Sequence, residues 1–161
     1  MTEWAYNSIL APLVASRLCA AGVQGVVVER PDDGSGYEQL PGILNNLGPE
    51  LIVSLHLNAF STPGPSGTCA LFWNGSQIGW ELAETLSERV AAALGLRDRG
   101  AIPRLANDRG APLLRRTRAP TVILESAFVT NPGDRERLLE RRGQLADAVA
   151  ESIVDVLGLL A

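Results

Sequence analysis

Two stretches constrain the fold of this chain more than any others: Leu51-Ile52-Val53-Ser54-Leu55, running into His56, and Thr121-Val122-Ile123-Leu124, running into Glu125. A strand with one wet face alternates polar and apolar residues. Runs without that alternation are strands buried on both faces, as in a parallel sheet sandwiched between helices. Thr68 to Trp73 reads as a further strand, and shorter ones are expected at Val26-Val27-Val28, ending at Pro31, and around Leu113-Leu114.

Helical patterns separate these runs. Ile9, Leu10, Leu13, Val14, Leu18 and Ala21 recur at helical spacing with Gly22 behind them, while Pro12 predicts a kink or a late start. Tyr37 to Leu47 reads as a weak helix interrupted by Pro41 and Gly42. Gln77 to Leu94 is the clearest helix, with apolar and charged faces and Gly95 to close it. Asn131-Pro132-Gly133-Asp134 has the chemistry of a helix start, with Asn131 as cap, Pro132 in the first turn and Asp134 near the positive helix end. A last helix is expected from Gly143 to Leu157. Pro31 to Gly36 and Arg97 to Ala111 read as loops; four arginines in the second suit a functional loop. The alternation predicts one α/β domain over residues 1–161, a largely parallel open sheet covered by helices on both faces.

With 161 residues, 46% of them hydrophobic, the chain can bury one core and not two. A net charge of -4 argues against nucleic acid as a partner, because phosphate binding needs a basic surface. No run reaches the roughly 18 apolar residues of a membrane span, and Met1 is followed at once by Glu3, without the basic and apolar regions of a secretory signal. The expectation is a soluble cytoplasmic or truncated form. Cys19 and Cys69 lie far apart in apolar surroundings and read as buried free thiols.

Three polar residues stand where apolar strands end: His56, Asn58 and Glu125. Ligand sites of open α/β sheets lie at the carboxyl ends of strands. A histidine and a glutamate brought to one sheet edge supply a metal ligand and a general base, the pairing used in metal-assisted hydrolysis.

Ser54-Leu55-His56-Leu57-Asn58-Ala59 resembles the S-[IL]-H-x-N-A motif of the zinc-dependent N-acetylmuramoyl-L-alanine amidases. The stretch Ala119 to Asp134 resembles that family's P-x-[VI]-L-[VI]-E-x-[GA]-F-[IVL]-[ST]-N-P-x-D pattern, and Glu3, Asn7 and Ala11 match its E-x-x-x-N-x-x-x-A stretch. The resemblance implies Glu125 as catalytic residue, and Glu3 and His56 as zinc ligands. It implies a peptidoglycan hydrolase acting at the cell wall or periplasm, which cuts the amide between N-acetylmuramic acid and the L-alanine of the stem peptide. Arg99-Gly100, followed by Leu113-Leu114-Arg115, matches the family's approach to its last strand, and Asn58 and Arg99 are candidate substrate contacts.

One departure matters. The family opens with a strand ending in a G-H-G-G-type motif whose histidine is the first zinc ligand, whereas His56 is the only histidine here. Three readings follow: a late start, a third ligand from another side chain or chain, or loss of the metal. The last makes the domain a metal-free peptidoglycan-binding or regulatory module. Asp108 and Cys69 are the substitutes weighed, and no motif places either in the site. Without the first strand, an exposed or partner-covered sheet edge is expected.

Overall fold

The computed structural model describes residues 1–29 and 36–160. Ten elements follow in order: α1 (Glu3–Ala20), α2 (Leu40–Leu47), β1 (Ile52–Asn58), β2 (Thr68–Trp73), α3 (Gln77–Leu94), β3 (Asp98–Arg104), α4 (Ala111–Arg116), β4 (Thr121–Phe128), α5 (Pro132–Glu140) and α6 (Arg142–Gly158). The strands form one open sheet in the order β1-β4-β2-β3. β1 runs parallel to β4 and β2 parallel to β3, while β2 and β4 are antiparallel. The sheet is therefore mostly parallel and covered on both faces, as its apolar strands require.

Alternation along β4 separates two cores. Val122 and Leu124 point into the larger one, with Ala70 and Phe72 of β2, against Leu10, Leu86 and Val149 of α1, α3 and α6. Ile123 points the other way, with Ile52, Cys69 and Leu71, against Leu40 and Leu44 of α2 and Leu113 and Leu114 of α4.

Five local expectations change. Val26-Val27-Val28 forms no strand: Val26 and Val27 are exposed, and Gly25 packs back on Ala15 and Leu18 of α1 rather than beside a strand. Its expected end at Pro31, and the loop from Pro31 up to Ser35, lie outside the described residues. Leu113-Leu114 is helical, because Gly110 takes a left-handed φ of 86° and Pro112 opens a helix in its first turn. The stretch read as a loop contains β3, an edge strand, where Pro103 is tolerated and Gly100 (φ 77°) sits at a register shift. Pro12 does not delay α1, which starts earlier, at Glu3, with the Thr2 hydroxyl capping Ala5 N–H at 3.2 Å. Cys19 is exposed, and only Cys69 is buried.

β1 is an edge strand. Ile52 N–H donates to Pro120 C=O and Asn58 C=O accepts from Val129 N–H, so its even-numbered residues bond towards β4 and its odd-numbered ones present their backbone to the open side. There α1 takes over: Glu3 Oε1 accepts from Leu57 N–H at 2.8 Å, and Asn7 Nδ2 donates to Leu55 C=O at 2.8 Å.

Candidate active site

The parallel register of β1 and β4 makes His56 and Glu125 direct neighbours. Strand alternation puts both on the face of α2 and α4, His56 in line with Ile52 and Glu125 in line with Ile123. Glu3, in the first turn of α1 where the helix dipole favours a carboxylate, reaches over the open edge of β1. Its Oε1 lies 2.9 Å from His56 Nδ1. With the ring proton assigned to Nδ1, that nitrogen donates to Glu3, and Nε2 accepts from the Ser54 hydroxyl at 3.1 Å.

Burial pushes the Glu125 carboxyl above its usual range; His56 opposes that rise, Glu3 adds to it, and the Arg109 and Arg104 guanidinium groups oppose it. Glu125 Oε2 is buried and has no hydrogen-bond partner. Cys69, facing Glu125 across the antiparallel pairing, has its thiol pushed up to about 11, first by burial and then by the Glu125 charge. A carboxyl raised in this way suits a proton acceptor and donor near neutral pH.

Two groups of the kind zinc takes thus converge, the Glu3 carboxylate and the His56 imidazole, whose Nδ1 becomes a ligand atom on giving up its proton. Among the described residues no group of three His, Cys, Asp or Glu is placed to hold an ion. Asp108 shapes a turn instead, its Oδ2 accepting from Leu105 N–H at 2.7 Å.

The other candidates take local roles in the geometry. Asn58 Oδ1 accepts from Ala59 N–H at 2.9 Å, closing the turn after β1. Arg99 stacks on the Phe128 ring, 5.2 Å from its centroid, and donates to Ser66 C=O at 3.3 Å.

Two features escape a reading of the sequence. Asp134 is buried and accepts from Ser66 Oγ, Gly67 N–H and Phe128 N–H, tying the loop before β2 to the end of β4. Gly67 has no room for a side chain there: a Cβ would meet Arg97 C=O at 2.5 Å. Arg104 joins the site face through the alternation of β3, legible only once β3 is known to be a strand.

The family model described as N-acetylmuramoyl-L-alanine amidase matches residues 1–155. The N-acetylmuramoyl-L-alanine amidase CwlM of Mycobacterium tuberculosis is 30% identical over 151 residues, covering 90% of this chain and 35% of that protein. LytC of Bacillus subtilis, an N-acetylmuramoyl-L-alanine amidase, is 26% identical, covering 96% of this chain and 30% of that protein. The chain thus spans about a third of the length of these curated relatives. Among solved structures, an N-acetylmuramoyl-L-alanine amidase from Clostridium difficile 630 superposes with a TM-score of 0.85 at 24% identity, covering 98% of this chain and 85% of that one. Matched over almost its whole length, this chain belongs to the N-acetylmuramoyl-L-alanine amidase family.

Proposed function

We propose that the chain is a peptidoglycan hydrolase, cleaving the amide between the lactyl carbonyl of N-acetylmuramic acid and the L-alanine of the stem peptide, with Glu125 as catalytic residue. The observation that carries this reading is the register that sets His56 beside Glu125 while Glu3 meets His56 Nδ1. The names of the relatives support the same bond as target. The place of action that follows is the cell wall, and among the described residues no helix is long and apolar enough to cross a membrane.

Glu3 and His56 are the residues that would hold a zinc ion in this reading, and the ion would supply Lewis acidity. Glu125 takes the proton of that water as it adds to the lactyl carbonyl, holds it on a carboxylate oxygen, and delivers it to the alanine nitrogen as the C–N bond breaks. Burial keeps the protonated and ionised forms of Glu125 closer in energy than in water, so one group serves both steps. Ser54 holds the imidazole plane from its Nε2 end. Asn58 and Arg99 border the site through the turn after β1 and through Phe128, and contact with substrate there belongs to the same proposal.

Among the described residues only two such metal donors meet, and that favours the second reading, a metal-free module that binds peptidoglycan without cutting it. One experiment separates the two. Purified peptidoglycan is incubated with the chain and zinc, and the soluble products are analysed by mass spectrometry. Stem peptides with a free L-alanine amino group are expected, and Glu125→Gln should lower their formation at least about 100-fold. Sedimentation with peptidoglycan without any such product would establish the binding module instead.

A further inference from the structure

On the α2/α4 face, which Glu125 also occupies, two arginines have no hydrogen bond or ion pair among the described residues. In β3, Ile102 belongs to the smaller core, so Arg104, two residues on, faces the same side as Cys69 and Glu125. Arg109 reaches that face by another route. It precedes Gly110, which packs so closely on the strand that a side-chain carbon there would lie 2.7 Å from Ile123 Cδ1, and Ile123 is two residues before Glu125 on the same face.

Neither guanidinium has a hydrogen bond or ion pair among the described residues, and Arg104 Nε is buried without an acceptor. Carboxylates are not scarce in this chain: 18 acidic residues face 14 basic ones, and Arg17, Arg89, Arg116 and Arg137 all pair with acids. Glu125 shares that face, yet its Oε2 has no hydrogen-bond partner among the described residues. Both charges are felt at Glu125 without an ion pair forming, which leaves the arginine forks available to a third group. A planar guanidinium fork matches a carboxylate through two parallel hydrogen bonds, and an unsatisfied buried N–H gains most when such an acceptor arrives.

We propose that Arg104 and Arg109 form a carboxylate-reading subsite on the sheet face of Glu125, selecting peptides that carry a free carboxylate near the scissile amide. The proposal rests on the peptidoglycan reading above, in which the group after L-alanine would enter this subsite. Arg104 and Arg109 are specificity residues here, and neither takes part in the proton transfers.

The test uses two soluble probes: N-acetylmuramoyl-L-alanyl-D-glutamate, and the same compound with its α-carboxylate converted to a carboxamide. Both are titrated calorimetrically into Glu125→Gln protein, which prevents turnover. The acid should bind about ten-fold more tightly than the amide, the value of one charge-assisted hydrogen-bonded pair. Adding Arg104→Gln or Arg109→Gln should erase the difference while leaving amide binding in place, and Arg97→Gln, on the exposed stretch before β3, should leave the difference intact. Arg109 is itself exposed, so its variant carries the test even if Arg104→Gln does not fold. Equal binding of both probes, or a preference that survives both substitutions, overturns the subsite alone. Binding of neither probe overturns the peptidoglycan reading and the subsite with it.

Discussion

At the scale of single residues, the same sheet face that raises Glu125 also silences Cys69. Burial and the neighbouring Glu125 charge lift this thiol from 9.0 to about 11, while Cys19 stands exposed on α1. A thiol reagent at pH 8 should therefore modify one cysteine in the folded chain and both after unfolding; fast modification of Cys69 in the native state would contradict its placement. The shift also sets a pH dependence. Between pH 9 and 11 the folded state keeps a proton on Cys69 that the unfolded state releases, so stability is complete below 9 and falls as pH rises, by about 2–3 kcal/mol in all. Tyr6, raised to about 12 chiefly by burial, extends the decline to higher pH. Unfolding free energies measured across this range should fall less steeply for Cys69→Ala. Apolar neighbours in sequence suggest burial for both cysteines, and they mislead at Cys19 because one side of a surface helix looks outward whatever flanks it.

Among elements, the legible ones are those whose residues report their surroundings. β1 and β4 lie between two helical layers and lack the polar–apolar alternation of a strand with one wet face; α3 is amphipathic and ends on a glycine at φ 66°. β3 is hidden because it is an edge strand, where one row of backbone groups needs no partner and arginine, glycine and proline are tolerated. The antiparallel step between β2 and β4 is equally hidden, since side-chain alternation carries no strand direction. Val26-Val27-Val28 shows the converse: β propensity without an adjacent strand makes no strand. Asp134 tests how these elements are joined. It is 1% exposed and holds two backbone N–H groups and one hydroxyl. Asp134→Ala strands these donors in the interior and should cost about 3 kcal/mol, read as a lower urea midpoint, with Asp134→Asn losing less. A midpoint unchanged in Asp134→Ala would show that the loop before β2 is held by other contacts.

Over the whole molecule, the candidate site is assembled where three distant parts of the chain meet at one corner of the sheet. The start of α1 brings Glu3, the end of β1 brings His56 and the end of β4 brings Glu125, and β1's unpaired edge is what lets Glu3 approach His56 and Leu57 N–H together. These three residues are legible in the sequence through short motifs. The arginines across the face are not, because only the assembled sheet shows which way Arg104 turns. The central claim is that the Glu3–His56 pair is the metal-binding half of a hydrolytic centre. Zinc content after equilibration and removal of free metal tests it most directly, measured by elemental analysis on the chain and on His56→Ala and Glu3→Gln. The account predicts about one zinc per chain, lost in both variants. Zinc far below that level in the parent chain, or equal zinc in all three proteins, would contradict it.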